Sequence, residues 1–193
     1  MASTLNPPSS KINIEILRFA NSILSEPKIK KLTSSNIVTV IDFSLNSAHK
    51  RLWVVNIKSD KVIYRALVAN GINPFHFSNK PHSHESSIGI YLTESVYYGK
   101  HGLSLKLKGI DGKFNNNAES RHIVMHKARY ASINFAHLHH KLGKSWGCFA
   151  VEPKLSRTII EYIKGGTILI AYFPKKEWFK DSPYIYPNTP KIK

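Results

Sequence analysis

The single cysteine of the chain, Cys148, is the residue whose chemistry the sequence must explain. It lies in the segment GKSWGCFAVEP, residues 143–153, directly after a glycine. A lone cysteine cannot close an intramolecular disulfide, so its sulfur serves packing, metal binding, an intermolecular bridge or a reaction. A reacting cysteine needs its thiolate stabilised, and the usual means is an imidazole that takes the proton.

His126 is the partner that the sequence favours among ten histidines. It ends the run RHIVMH, in which alternation places His122, Val124 and His126 on one face of a predicted strand. In SWGC, Gly147 permits a tight turn that lets nearby amides face a developing oxyanion, and the Ser145 hydroxyl can orient the site. A buried structural thiol is the alternative that these residues leave open.

The elements around these two residues are mostly strands. Short β-branched and aromatic runs predict strands over residues 36–43, 51–57, 61–69, 88–95, 103–110, 121–128 and 167–173. Residues 58–60 predict a hairpin turn, and the polar segments 70–89 and 111–121 predict long loops, which are often functional.

Helices are predicted at two places outside these strands. One starts at Ser10 as N-cap and ends at or before Pro27, and the other covers residues 155–166, where Gly165 and Gly166 end it. We therefore predict a mainly β (α+β) single domain with a few peripheral helices. Its parts are an N-terminal tail and helix at 1–35, a body at 36–173 and a C-terminal tail at 174–193.

Composition predicts a soluble protein that attracts polyanions. Lys and Arg number 28 against 12 Asp and Glu, which gives a net charge of +16. Hydrophobic residues make up 42% of the chain, and no window approaches the roughly 18 consecutive apolar residues of a membrane span. The N-terminus shows no charged region followed by a continuous apolar region, so no secretory leader is visible in the chain.

RHIVMH followed by GKSWGCFAVEP resembles the motif of the L,D-transpeptidase (YkuD-like) catalytic domain, a histidine with a downstream Ser/Thr-X-Gly-Cys. VIDFSLNSAHKRLWVVNI, FSNKPHSHESSIGIY, YYGKHGLSLKLKGID and IIEYIKGGTILIAYF are similar to the murein L,D-transpeptidase branch, so the resemblance covers residues 36–173. It implies a β-sandwich or barrel-type domain that works without cofactor or metal. It also implies a place in the bacterial cell envelope or periplasm, or secretion.

In this family the cysteine attacks the carbonyl of an L,D peptide bond in a peptidoglycan stem peptide, releases a terminal D-amino acid and forms a thioester. The resemblance makes Cys148 the nucleophile, His126 the base and later the acid, and the amides around Trp146, Gly147 and Cys148 the oxyanion hole. A second stem's amine resolves the thioester in transpeptidation. Water would resolve it in an L,D-carboxypeptidase or endopeptidase, which is the alternative within the enzyme class.

Three positions depart from the family's pattern. Trp146 stands where the family often has histidine, and it could pack over the acyl pocket. Lys127 follows the base histidine in place of a frequent glycine, and its cation could favour the thiolate. Asn70-Gly71 stands where His-Gly is expected.

Substrate contacts are predicted in the loop FSNKPHSHESS and beside the histidine. Ser78 and Asn79 suit hydrogen bonds to an extended peptide, although the loop could equally cap its own turns. Arg121 could meet a substrate carboxylate through its planar fork, or could pair with Glu119 or Asp111.

Two other function classes compete with the enzyme. A metal site is suggested by His82, His84, His137, His139 and His140, but HEXXH and paired CXXC patterns are absent, so we predict no metal. The other class is a noncatalytic basic module that binds anionic cell-wall polymer and would work without Cys148. No RNP-type motif is present, so we predict no specific nucleic-acid partner.

Overall fold

A computed structural model describes residues 14–187 and 189–190, and all structural statements refer to these residues. The strands are β1 (Ile37–Asp42), β2 (Leu52–Asn56), β3 (Lys61–Ala66), β4 (Val68–Ala69), β5 (Gly89–Gly99), β6 (Gly102–Gly109), β7 (Val124–Lys127), β8 (Phe149–Val151) and β9 (Ile168–Tyr172). The α-helices are α1 (Ile14–Ser25), α2 (Pro27–Lys30), α3 (Ile133–His139), α4 (Pro153–Ile163) and α5 (Lys176–Asp181).

All the described strands belong to one mixed sheet that curves back on itself. The strand order is β3-β2-β1-β9-β5-β6-β7-β8-β4. Its two end strands, β3 and β4, are separated in the chain by Leu67 alone. Because a single residue joins opposite ends of the strand order, the sheet must curl until those ends meet, which gives the predicted barrel-type architecture.

Two apolar clusters fill the two faces of this sheet. One face carries α1 and the C-terminal α5, whose Phe19 and Trp178 pack against Tyr172 of β9. The other face carries α4, whose Ile159, Ile160 and Ile163 are fully buried against the curled strands. Alternation along each strand produces this division, because successive side chains point to opposite faces.

The predicted mainly β, single-domain fold with peripheral helices is confirmed, and its elements differ locally from the sequence pattern. The run 61–69 is two strands, and the run 121–128 begins as a strand only at Val124, because His122 is in the left-handed region with φ 55°. The predicted N-cap Ser10 lies outside the described residues, and the two boundaries, between 35 and 36 and between 173 and 174, stay predictions. No helix among the described residues is both long enough and apolar enough to cross a membrane.

Candidate active site

His126 is buried on β7, and one of its ring nitrogens already has a hydrogen-bond partner. It is 2% exposed, and its Nδ1 lies 2.8 Å from the carbonyl oxygen of Lys127. A carbonyl only accepts, so Nδ1 carries the proton and Nε2 carries the lone pair. Burial is the main cause that lowers the pKa of His126 below its ordinary value of 6.5, and His101 and Lys100 lower it further by their charge. The imidazole is therefore a neutral base near neutral pH.

The tip of the hairpin between β5 and β6 lies against this imidazole. Gly99 pairs with Gly102, so the tip consists of Lys100 and His101. The ring of His101 stacks on the ring of His126 with centroids 4.2 Å apart and planes 15° apart. The stack fixes the plane of His126 and covers it from solvent.

We expect His101→Ala to raise the pKa of His126 toward 6.5. The substitution uncovers the buried ring and removes a neighbouring group that carries positive charge when protonated, and both changes favour the imidazolium. NMR titration of the His126 imidazole measures this shift. His137→Ala, at an exposed position on α3, is the matched control. An unchanged His126 titration in His101→Ala would show that the stack does not tune this base.

Cys148 lies at the start of β8, at the end of a turn that Ser145 organises. The Ser145 hydroxyl donates to the Cys148 carbonyl at 2.6 Å and accepts from the Gly147 amide at 3.1 Å. Gly147 has a φ of 109°, which favours glycine, and Ser86 Oγ donates to its carbonyl at 2.8 Å. These bonds fix the backbone on both sides of the sulfur.

The sulfur of Cys148 is a half-buried thiol. It donates to the His122 carbonyl at 3.4 Å. Burial is the main cause that raises the thiol's pKa, whereas a hydrogen bond from the Val124 amide and the charges of Lys100 and Arg121 lower it. The net effect is a thiol that stays protonated near neutral pH until a base takes its proton.

The parallel pairing of β7 and β8 brings Cys148 to His126. Their register sets Met125 beside Phe149 and His126 beside Ala150. Cys148 directly precedes β8 and is two residues before Ala150, and its Sγ contacts the His122 carbonyl just before β7. In the described part of the chain no hydrogen bond joins Sγ to the imidazole, and the register supplies the proximity.

The long loop between β4 and β5 surrounds this turn, and Arg121 holds the loop together. The Arg121 guanidinium donates four hydrogen bonds into it, to the carbonyls of Ser78 and Glu85 and to the hydroxyls of Ser83 and Ser87, at 2.7 to 3.0 Å. Neither Glu119 nor Asp111 forms an ion pair with Arg121 among the described residues. These four donations stabilise the rim of the site.

We expect Arg121→Met to lower the free energy of unfolding by about 2–4 kcal/mol. Methionine keeps the aliphatic length but leaves four acceptors of the loop without their donor. Urea unfolding measures the loss, and Arg157→Met on the exposed side of α4 should change stability by less than about 0.5 kcal/mol. Equal stability of the two variants would contradict the rim role of Arg121.

Ser78 and Asn79 make hydrogen bonds within the protein. The Ser78 hydroxyl accepts from the Lys80 amide at 3.1 Å. The Asn79 amide group donates to Lys113 and Asn116 at 3.0 and 2.6 Å and so ties the rim loop to the loop after β6. Both contacts favour turn capping for these side chains, and their predicted substrate contacts stay a prediction.

The family whose description is L,D-transpeptidase catalytic domain, YkuD_2, matches residues 8–172. The chain belongs to this family. The match begins before the predicted body at residue 36 and therefore includes α1. Proteins of this family act on peptidoglycan stem peptides.

Several solved structures are similar to this chain at low sequence identity. An L,D-transpeptidase from Mycobacterium smegmatis is 10% identical with a TM-score of 0.47, over 72% of this chain and 59% of that chain. An L,D-transpeptidase from Stackebrandtia nassauensis is 15% identical with a TM-score of 0.45, over 89% and 73%. The helical cell shape determining protein Pgp2 from Campylobacter jejuni is 9% identical with a TM-score of 0.49, over 77% and 55%. No curated protein matches the chain.

One departure from the family pattern, Asn70, connects the site to a buried cation. The Asn70 carbonyl accepts from the Ser145 amide at 2.9 Å, and its side-chain oxygen accepts from the Arg51 guanidinium at 2.8 Å. Arg51 is fully buried, and burial lowers its pKa to about 10. Asn70 thus connects Arg51, through these two hydrogen bonds, to the turn before Cys148.

The other two departures lie at the margin of the site. Trp146 is 74% exposed and stacks on His84 with ring centroids 4.6 Å apart, so its ring forms part of the rim. Lys127 holds His126 through its backbone carbonyl, and its side chain is exposed. The cations that lower the pKa of Cys148 are Lys100 and Arg121, so the role expected for Lys127 belongs to other residues.

Sequence reasoning missed three residues that shape this site, namely Lys100, His101 and Arg51. A Gly-Lys-His-Gly run between two strands indicates a hairpin tip, but neighbouring residues do not predict that its histidine stacks on a residue 25 positions away.

The histidines considered as metal ligands are not grouped in the structure. No group of three or more His, Cys, Asp or Glu side chains in the described residues is placed to hold an ion.

Proposed function

We propose that this chain performs cysteine-dependent acyl transfer on peptidoglycan stem peptides, as an L,D-transpeptidase. Cys148 attacks the carbonyl of the L,D bond, a terminal D-amino acid departs, and the amine of a second stem resolves the thioester. The observation that supports the proposal is the parallel pairing of β7 with β8, which brings the segment that begins after Cys148 alongside the strand of His126, whose Nε2 carries a lone pair.

The protonation states support attack by a neutral pair. Both side chains are uncharged near neutral pH, so the proton moves from Sγ to Nε2 as the sulfur–carbon bond forms. The carbonyl electrons move onto oxygen. When the carbon–nitrogen bond breaks, Nε2 returns the proton to the departing amine and the thioester remains.

The turn before β8 supplies donors for the oxyanion. The Gly147 amide already donates to Ser145 Oγ. We therefore place the oxyanion against the amides of Trp146 and Cys148, with Ser145 and Gly147 holding the turn. His126 needs no carboxylate partner, because the Lys127 carbonyl already fixes its tautomer.

The partners and location follow from the same proposal. The substrate belongs to the bacterial cell wall, so we place the protein in the envelope, periplasm or outside the cell. The net charge of +16 would concentrate it at anionic wall polymers. A chain with a single cysteine also has no second thiol with which to trap its nucleophile as an intramolecular disulfide in an oxidising compartment.

The test is turnover of a synthetic stem tetrapeptide that ends in an L,D bond. We expect release of the terminal D-amino acid and, in quenched samples, a thioester mass on the tryptic peptide that contains Cys148. A stem with an L-configured terminal residue is the control substrate. The proposal fails if neither stem is cleaved while Cys148 reacts with iodoacetamide.

The products decide how the thioester is resolved. A crosslinked dimer shows that a second stem's amine reaches the thioester, whereas a tripeptide alone shows hydrolysis and makes the protein an L,D-carboxypeptidase. Cleavage of a preformed crosslink would identify an endopeptidase. Each of these outcomes retains Cys148 as the nucleophile.

A further inference from the structure

The hairpin tip of Lys100 and His101 is an anchored wall of the site. Gly99 pairs with Gly102, whose φ of 78° closes the two-residue turn, and β6 continues from there to pair Ser104 with His126. The His101 ring then stacks on His126 at 4.2 Å. Two separate attachments, the strand pairing and the ring stack, therefore hold the tip beside the reactive pair.

Lys100 adds a positively charged side chain to this wall. It is exposed, and among the described residues it forms no ion pair or hydrogen bond. It adjoins His101, whose ring stacks on His126, so the tip brings its charge close to the site. In agreement with this position, its charge lowers the pKa of Cys148, His126 and His101. Arg121, the other cation that acts on Cys148, has its donors occupied by the rim loop. Lys100 is thus a cation at the site with free donors among the described residues.

We propose that Lys100 is a specificity-determining residue whose ammonium binds a carboxylate of the peptide stem. This inference rests on the proposed function. The stem carries such a carboxylate close to the peptide bond that is cleaved. In a terminal D-amino acid, the carboxylate carbon lies about 3–4 Å from the carbonyl carbon that the thiol attacks. A cation near Cys148 is therefore placed for that group. A side-chain carboxylate of the stem is the second source of the same chemistry.

Binding of a carboxylate at Lys100 also assists the base. The ammonium disfavours the imidazolium form of His126 in the free protein. A carboxylate paired with that ammonium cancels part of its field, so His126 accepts the thiol proton more readily when substrate is present. Recognition and proton transfer are thereby linked through one side chain.

The test combines a change in the protein with a change in the substrate. Turnover of the tetrapeptide with a free terminal carboxylate is compared with turnover of its terminal amide, in the wild type, in Lys100→Met and in Lys108→Met. Lys108 is exposed on β6 away from the tip and serves as the matched control. A third stem, amidated only at its side-chain carboxylate, distinguishes the two sources.

We expect terminal amidation to lower kcat/KM about 10- to 100-fold in the wild type and in Lys108→Met, mainly through KM. In Lys100→Met the same amidation should cost less than about threefold, because the partner cation is gone. If only side-chain amidation shows this dependence on Lys100, that carboxylate is the ligand and the assignment of Lys100 stands.

An amidation penalty that is equal in Lys100→Met and the wild type, for both carboxylates, overturns the inference. So does wild-type turnover that is insensitive to both amidations. In these cases cleavage of the free stem still supports the proposed function. A wild-type chain that cleaves no stem overturns the proposed function, and this inference falls with it.

Discussion

Replacing Cys148 with alanine is expected to remove acyl transfer while leaving the fold in place. The thiol is half-buried and its sulfur makes only weak hydrogen bonds, with the His122 carbonyl and the Val124 amide, so its loss costs little stability. Loss of an enzyme's nucleophile typically lowers turnover by roughly 10⁴- to 10⁶-fold. Release of the terminal D-amino acid, measured by a coupled assay, checks the loss, and circular dichroism checks the fold.

His126→Gln extends the same experiment to the base. Glutamine keeps much of the side-chain volume but cannot take the thiol proton, so we expect a decrease of about 10²- to 10⁴-fold. His139→Gln, at an exposed position at the end of α3, is the control and should turn over at the wild-type rate. Substantial turnover by Cys148→Ala would place the nucleophile elsewhere in the chain.

Replacing Gly147 with alanine is expected to have the second largest effect. A Cβ at this position would stand 2.6 Å from Cδ1 of Ile123 and 2.9 Å from the carbonyl oxygen of Glu85. The backbone φ of 109° is itself unfavourable for alanine. The turn must shift, so the hydrogen bonds that Ser145 makes within it are lost together with the position of Cys148.

We expect Gly147→Ala to lower the free energy of unfolding by about 2–4 kcal/mol and to slow thioester formation at least about 100-fold. Gly166→Ala is a matched control, because its φ is 102° but nothing lies within 4 Å of the added Cβ. This control measures only the loss of stability that a positive φ causes for alanine. If both variants lose the same stability and both acylate normally, the close packing around Gly147 has no role in the site.

The sequence alone predicts most of the sheet, because its strands alternate clearly. Six of the seven predicted runs contain a strand within one residue of the expected start, and Gly165 and Gly166 follow the end of α4 as expected. β8 was missed, since three residues show too little alternation to be recognised. That short strand pairs with β7 directly after Cys148, so the two residues could be proposed from the sequence, whereas the strand pairing beside them could not.

The surroundings of the pair depend on contacts between distant segments. Arg121 reaches residues 34 to 43 positions away, and Asn70 joins Arg51 to Ser145 across the chain. A planar fork and an amide side chain are compatible with many partners, so residue type predicts polarity and not the partner. For this reason Arg121 suggested a substrate contact, whereas the structure shows it binding the rim loop.

The position of β4, one residue after β3, bears on the stage of folding at which the thiol becomes reactive. β4 completes the sheet by pairing with β8, through Val68 with Val151 and Ala69 with Ala150, more than 80 residues apart in sequence. Contacts of such long range form slowly and late, because the loop they close is large. The strand that follows Cys148 is thus held on both sides, by β7 and by β4, only after this loop closes. We expect full reactivity of the thiol toward substrate to appear only after that closure, so that a partly folded chain does not react with its surroundings.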